Sequence, residues 1–245
     1  MGSFKYEKGL KTAIKQFWKT RQSQTRQQKQ RHVSDQGTRG AVTGGKQLDG
    51  LVALLKKIAV DAGVPKGCIY TKGNELPGFF RPTKNWDFII ISPQGKLVAC
   101  LEFKSQVGSF GNNFNNRTEE AIGSAVDIWT AVRENVFPGD LAPWLGYLMV
   151  VEKSENSTRS VSVSEPHFKV IKEFVNTSYL KRYEILCRKL ILERLYTSAT
   201  AIWTEKPKGG VMKYGYMNND LSFETFVNSF VGYLSGRANE FRVEK

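Results

Sequence analysis

Two carboxylates and a lysine near the middle of the chain have the types and spacing of a metal-dependent hydrolytic site: Asp87, Glu102 and Lys104. Two carboxylates that meet at one point repel each other unless a cation lies between them, and oxygen ligands of this kind suit Mg²⁺. A bound Mg²⁺ can polarise a phosphoryl oxygen and activate a water, while a neighbouring lysine orients that water or stabilises developing charge. The pattern is that of a nuclease of the D…(D/E)xK type. The alternative is a hairpin with ordinary rim charges, in which Lys104 only neutralises Glu102.

A β-hairpin is the element that must position these residues. Its two apolar runs and the turn between them are Trp86–Ser92, Lys96–Phe103 and Pro93-Gln94-Gly95. Turn residues between two β-branched, apolar runs predict such a hairpin. Because side chains alternate faces along a strand, Glu102 and Lys104 point the same way, and antiparallel pairing brings Asp87 beside them.

The sequence that follows the hairpin adds a family resemblance. Residues 101–131, LEFKSQVGSFGNNFNNRTEEAIGSAVDIWTA, and the preceding LPGFFRPTKNWDFIII resemble the XhoI-type family of Type II restriction endonucleases, over roughly residues 75–151. The family's first acid falls on Asp87, which follows Trp86 rather than the proline of the superfamily motif, and its Glu and Lys fall on Glu102 and Lys104.

The resemblance implies a PD-(D/E)xK nuclease fold and Mg²⁺-dependent hydrolysis of double-stranded DNA. It also implies a homodimer that cuts both strands at a palindrome such as CTCGAG. A companion DNA methyltransferase is expected in the same system.

Composition supports a polyanionic partner. With 36 basic and 23 acidic residues the net charge is +13 and the pI is about 9.6, which favours nucleic acid over a membrane surface. No apolar run reaches the length of a bilayer span and no signal segment opens the chain, so a cytoplasmic protein is expected. Cys68, Cys100 and Cys187 are too widely spaced for a zinc site or a disulfide framework, and His32 and His167 are too far apart for a His-metal nuclease.

The basic surplus is concentrated at the start of the chain. Residues 1–46 contain 11 Lys or Arg and 2 Asp or Glu, so 11 minus 2 gives a local excess of +9. A short amphipathic helix is predicted first, from Leu10, Ala13, Ile14, Phe17 and Trp18, followed by a polar arm that would contact DNA phosphates. A solvated arm is the alternative. Gly40–Gln47 resembles a P-loop but has Gln47 where Mg²⁺ binding needs Ser or Thr, so it is interpreted as a hinge.

The Asn-rich segment after Lys104 is predicted to be a DNA-contacting loop. Asn side chains can read adenine and arginine can read guanine or hold a phosphate. A turn-forming Asn/Gly loop is the alternative. Asn116 and Glu119 have the spacing of a helix cap, which predicts a helix from there to about Asn135. Glu75 is a possible additional acid. The candidate DNA-binding residues are Asn112, Asn113, Asn115, Asn116 and Arg117.

The remaining periodicity predicts an α/β (α+β) fold with a mixed central β-sheet flanked by helices. A basic arm (1–46) would precede one nuclease domain (47–245), with its core at about 47–151 and a helical elaboration at 152–245. Expected elements are a helix at 48–59, a buried strand at 144–151, helices at 166–175 and 179–195, a strand at 199–204 and a final helix at 223–234.

Two other functions remain open at this stage. A repair or junction-resolving nuclease would use the same three residues but would cut according to DNA structure. A non-catalytic DNA-binding protein would carry a degenerate site, against which the presence of all three residues argues.

Overall fold

The computed structural model describes residues 4–30 and 46–242. A six-stranded mixed sheet with the order β1-β4-β5-β6-β7-β8 forms its centre, and β2 and β3 form a separate antiparallel pair. The strands are β1 (Ile69–Tyr70), β2 (Glu75–Pro77), β3 (Thr83–Asn85), β4 (Phe88–Ile91), β5 (Leu97–Gln106), β6 (Trp144–Glu152), β7 (Ser198–Thr204) and β8 (Tyr214–Tyr216). The helices are α1 (Glu7–Gln30), α2 (Asp49–Asp61), α3 (Phe110–Arg133), α4 (Glu155–Thr158), α5 (Tyr179–Leu192) and α6 (Phe223–Gly236).

The predicted hairpin is confirmed as β4 and β5, which pair antiparallel with Phe88 opposite Leu101. Gly95 has a φ of +78°, a left-handed conformation that glycine adopts without a Cβ penalty, and its N–H donates to the Ser92 carbonyl at 2.9 Å. This turn fixes the register, and the register decides which carboxylates meet at the far end of the hairpin.

Three parallel strands, β5, β6 and β7, make the centre of the sheet. The run Trp144–Val151 is buried along its whole length, as a strand covered on both faces requires. Antiparallel strands flank the parallel group: β1 pairs with β4, and β8 pairs with β7. The mixed sheet between helices is therefore as the sequence predicted.

Helices cover both faces of the sheet. The face that carries Phe103 packs against α1, α2 and α6, and the face that carries Cys100 packs against α3 and α5. Glu102 follows the parity of Cys100, so its side chain lies on the α3 and α5 side. In the described ranges no helix is both long enough and apolar enough to cross a membrane.

The first helix is longer than its apolar stripe predicted. Leu10, Ala13, Ile14, Phe17 and Trp18 are buried, as expected, but α1 continues to Gln30. Lys, Arg and Gln are good helix formers, so the polar segment extends the helix. Residues 31–45, with His32 and most of the glycine-rich segment, lie outside the described residues, and the basic arm stays a prediction.

Helix α3 corrects two predictions. It begins at Phe110 after Ser109, not at Asn116, so the candidate DNA-contacting residues lie on its first two turns and Glu119 is not a capping residue. Phe110 and Phe114, one turn apart, both pack against Tyr179, and this tertiary contact overrides the poor helix propensity of asparagine.

The buried face of α3 is not the stripe of large apolar residues at helical spacing that the sequence predicts there, which is Ile122, Val126, Trp129 and Val132. Ile122 and Val126 are exposed, and Trp129 and Val132 are only half-buried. Small residues instead face the sheet, which lets the helix axis approach it closely: Ala121, Ser124, Ala125 and Ala131.

The predicted helix at 166–175 is wrong, because only Lys172–Phe174 forms a single 3₁₀ turn there. The segment is too polar to bury a helical face; Phe168 and Ile171 are both exposed. The helix from Tyr179, the strand ending at Thr204 and the final helix are confirmed.

Candidate active site

Asp87, Glu102 and Lys104 come together at the end of the β4–β5 hairpin. The Asp87 N–H donates to the Leu101 carbonyl at 3.2 Å, and the Phe103 N–H donates to Asp87 Oδ2 at 2.7 Å. Asp87 is therefore hydrogen-bonded to the backbone of Leu101 and Phe103, the two neighbours of Glu102. Lys104 Nζ lies 2.6 Å from Glu102 Oε1. The convergence that the strand pattern predicted is present.

A second lysine, which sequence reasoning missed, also contacts Glu102. Lys84 Nζ donates to Glu102 Oε1 at 3.1 Å and lies 4.9 Å from the centre of the Trp86 ring. Lys84 belongs to β3 of the small two-stranded sheet, where it pairs with Leu76. Its position two residues before Trp86 and the motif was the only available signal.

Glu102 is buried yet ionised. Burial alone would raise its pKa, but the charges and hydrogen bonds of Lys104 and Lys84 outweigh burial and hold the pKa of Glu102 below its ordinary value. Glu102 in turn raises the pKa of Lys104, although burial by itself would lower it. Lys104 is therefore protonated at neutral pH and can donate hydrogen bonds.

Asp87 has the opposite shift. Desolvation by the surrounding protein atoms and then the Glu102 charge raise its pKa, while the Phe103 N–H and the two lysines offset part of this effect. The charge of Glu102 thus disfavours the ionised form of Asp87, and a cation between the two carboxylates would relieve that repulsion.

The charged network continues from the triad into α3. Lys104 Nζ lies 3.5 Å from Glu120 Oε2, and Arg117 Nη1 lies 2.6 Å from the same oxygen. Arg117, predicted to contact DNA, is thus in the ion network of the site with its side chain largely buried. Glu120 is therefore a partner of the candidate lysine.

The oxygens present fit a magnesium ion. Glu102 Oε2 is buried and accepts no hydrogen bond from any described residue, so its acceptor capacity is unused. Among the described residues no group of three His, Cys, Asp or Glu side chains could surround a metal. Two carboxylates suffice for Mg²⁺, which usually keeps several waters and binds substrate phosphate oxygens. Asp87 and Glu102 would hold it.

A pocket of about 440 Å³ opens beside Asp87. Its charged lining consists of two lysines, Lys56 of α2 and Lys72 of the loop after β1, and two aspartates, Asp49 and Asp87. A cation held by Asp87 would leave this lining with a net positive charge, which favours an anionic substrate.

The comparisons with known proteins agree with this geometry. The family model of restriction endonuclease XhoI matches residues 27–216. The chain belongs to the XhoI restriction endonuclease family. It is 46% identical over 216 residues to the Type II restriction enzyme BstVI of Geobacillus stearothermophilus, covering 86% of this chain and 96% of that protein.

Two further relatives of the family are similar over shorter stretches. The Type II restriction enzyme XhoI of Xanthomonas vasicola is 46% identical, covering 77% of this chain and 76% of that protein. The Type II restriction enzyme AbrI of Azospirillum brasilense is 44% identical, covering 67% of this chain and 74% of that protein. No solved structure matches the chain significantly.

The other candidate residues lie within the region that the family model matches. Asn112, Asn115 and Asn116 are exposed on the first turns of α3, and Asn113 donates to the Ser109 carbonyl at 2.8 Å. Glu75 is exposed in β2, opposite Asn85. DNA contact by the asparagines and metal binding by Glu75 stay predictions.

Proposed function

We propose that this protein hydrolyses phosphodiester bonds in both strands of duplex DNA at a short palindrome, CTCGAG, with Mg²⁺ as cofactor. The buried, ionised Glu102 with one unpartnered oxygen beside Asp87 is the observation that carries the proposal. When bound there, Mg²⁺ would lower the pKa of a water and offset negative charge on the scissile phosphate.

The lysines would act as hydrogen-bond donors and fixed positive charges. Lys104 Nζ is protonated and held at 2.6 Å from Glu102 Oε1, so it can orient the attacking water and stabilise the oxygen charge that grows during attack. Lys84 holds the same carboxylate oxygen from the other hairpin and thereby keeps Glu102 in one rotamer. Lys56 and Lys72 would attract the DNA backbone towards Asp87.

The recognition sequence CTCGAG and the homodimer are proposed from family membership, not from the geometry of the site. One such site cleaves one strand, so a homodimer with two sites related by two-fold symmetry would cut both strands of a palindrome. Protection of host DNA by a companion methyltransferase belongs to the same proposal, as does action in the cytoplasm.

Digestion of a sequenced plasmid with Mg²⁺ tests the proposal, with Glu102→Gln as the inactive variant. Glu224→Gln, an exposed glutamate at the start of α6, is the matched control. We expect discrete fragments that share CTCGAG at their ends from the wild type and the control, and none from Glu102→Gln.

Two results would contradict parts of the proposal. Cutting without sequence preference would retain the catalytic site but indicate a structure-dependent nuclease. Tight DNA binding with no cutting by the wild type would indicate a non-catalytic DNA-binding protein.

A further inference from the structure

Two exposed phenylalanines stand at the tip of the β2–β3 hairpin, close to the candidate active site. Phe79 is 50% exposed and Phe80 is 68% exposed. Their rings contact each other edge to face, with centroids 5.0 Å apart. Adjacent aromatic rings that protrude from a loop are unfavourable in water unless another molecule covers them.

The tip is held in place by a buried carboxylate. Asp127 of α3 accepts hydrogen bonds from the Phe79 and Phe80 N–H groups, each at 2.8 Å, and from Arg81 Nε at 2.7 Å. A Cβ at Gly78 would collide with this carboxylate, so glycine is required where the loop meets α3. The loop therefore cannot fold back to bury its rings, and it presents them rigidly to solvent.

We propose that Phe79 and Phe80 form an apolar wedge that enters a groove of the DNA substrate and partly unstacks one base step near the scissile phosphate. Apolar side chains inserted between base pairs are a known means of bending duplex DNA and of sensing how easily a step deforms. The proposal rests on DNA cleavage at Glu102 and adds a recognition element to it.

The reach of the hairpin places the wedge on the same DNA segment as the cut. Lys84 contacts Glu102, and Phe80 lies four residues before it, so their Cα atoms are at most about 13 Å apart. Successive nucleotides of one strand are about 3.4 Å apart along the duplex axis. With the lengths of the side chains added, the rings would meet DNA within about one turn of the duplex from the scissile phosphate.

Position and net charge favour DNA over a second protein subunit as the occupant. The strand that follows the rings carries Lys84, which donates to Glu102 of the candidate active site, so DNA bound at that site would pass close to the rings. The chain has a net charge of +13, which favours a polyanion over a second copy of the same basic chain.

The test combines DNA binding with a fluorescent base, using the whole protein. Duplexes that contain CTCGAG carry 2-aminopurine at successive positions, with Ca²⁺ in place of Mg²⁺ during binding. Wild type should raise the fluorescence at one or two positions near the cut. The Phe79→Ala, Phe80→Ala double variant should abolish the rise and weaken binding about 10- to 100-fold, since stacking on an aromatic ring contributes this much per base.

Phe168→Ala is the matched control, because Phe168 is 89% exposed and lies outside the site. It should keep wild-type affinity and fluorescence. Both changes remove exposed rings, so both variants should keep the wild-type thermal midpoint. Phe80→Leu in the Phe79 wild-type background should retain much of the fluorescence rise, because an apolar wedge does not require aromaticity.

Four results would overturn the wedge. The double variant could keep both the affinity and the fluorescence rise. Sedimentation could instead show that the double variant no longer dimerises while its fluorescence rise is unchanged, which would assign the rings to a contact between subunits. A wild type that neither binds nor cuts DNA in the plasmid assay would contradict the proposed function as well. Normal cutting by the double variant would contradict only the wedge.

Discussion

Replacing Lys84 with methionine tests whether the second lysine is part of the site. Methionine keeps most of the side-chain volume but removes the charge that lies 3.1 Å from Glu102 Oε1. The two side chains are 14% and 2% exposed, so solvent screens this pair little. Breaking a buried pair can cost about 3–5 kcal/mol, but Glu102 retains Lys104. We therefore expect a loss of about 1.5–3 kcal/mol in unfolding free energy, as for one hydrogen bond to a charged group.

The pH dependence separates the charge from packing. The folded-state pKa of Glu102 is depressed, so its contribution to stability is present above the unfolded-state pKa and is lost as the pH falls through the folded value. The difference between wild type and Lys84→Met should thus be largest near neutral pH and should shrink below about pH 4, where free glutamate protonates. Urea unfolding at pH 7.5 and pH 3.5 measures both values.

Lys57→Met is the matched control for this experiment. Lys57 also contacts a carboxylate, Asp61, at 2.9 Å, but its side chain is 65% exposed and the pair is an i,i+4 contact on α2. Such pairs contribute about 0.3–0.5 kcal/mol. Lys84→Met should also reduce the cleavage rate about 10- to 100-fold, because a loss of about 1.5–3 kcal/mol in the transition state corresponds to that factor. Equal unfolding losses for the two variants, or a Lys84 difference independent of pH, would refute the reasoning.

Three further results are expected. Asp127→Asn should lower the unfolding free energy by about 1.5–3 kcal/mol in urea unfolding at neutral pH, because it removes the charge from the buried side chain that accepts the hydrogen bonds of the Phe79–Phe80 tip. The folded-state pKa of Asp127 is depressed, so this loss should shrink as acid protonates Asp127 in the wild type. Lys56→Ala and Lys72→Ala should each weaken DNA binding uniformly across sequences and reduce the slope of log K against log salt by about 0.9, measured by salt titration. In a double-mutant cycle on cleavage rate, Phe80→Ala with Lys84→Met should be non-additive by at least about 0.5 kcal/mol, whereas Phe80→Ala with Lys56→Ala should be additive.

The hairpin and its three polar residues could be predicted because their signals are local. A turn of Pro, Gln and Gly fixes the pairing, and the two-residue period of a strand then places Glu102 and Lys104 on one face. The central strands were predictable for a similar reason, since a run such as Trp144–Val151 is too apolar to be anything but buried.

The start and the buried face of α3 could not be predicted, because distant residues decide both. Phe114 contacts Tyr183 edge to face at 5.2 Å, across 69 positions of sequence (183 minus 114), and no local pattern announces that contact. The buried face contains small residues such as Ala121 and Ala125, whereas Ile122 and Val126, which a periodicity search follows, lie on the outer side.

The β2–β3 hairpin was missed because its strands have three residues each and hold no apolar run. Its stability comes from outside, through Leu76 and Trp86 in the core and Asp127 on α3. A short strand anchored at these points has little freedom to move one end without the other. Displacement of the Phe79–Phe80 tip would therefore strain Lys84 and, through it, the rotamer of Glu102. If the rings enter a base step as proposed, the fit of that step and the position of the Glu102 carboxylate would be linked through Lys84, and a mismatched DNA site would reduce the rate of cutting as well as the affinity.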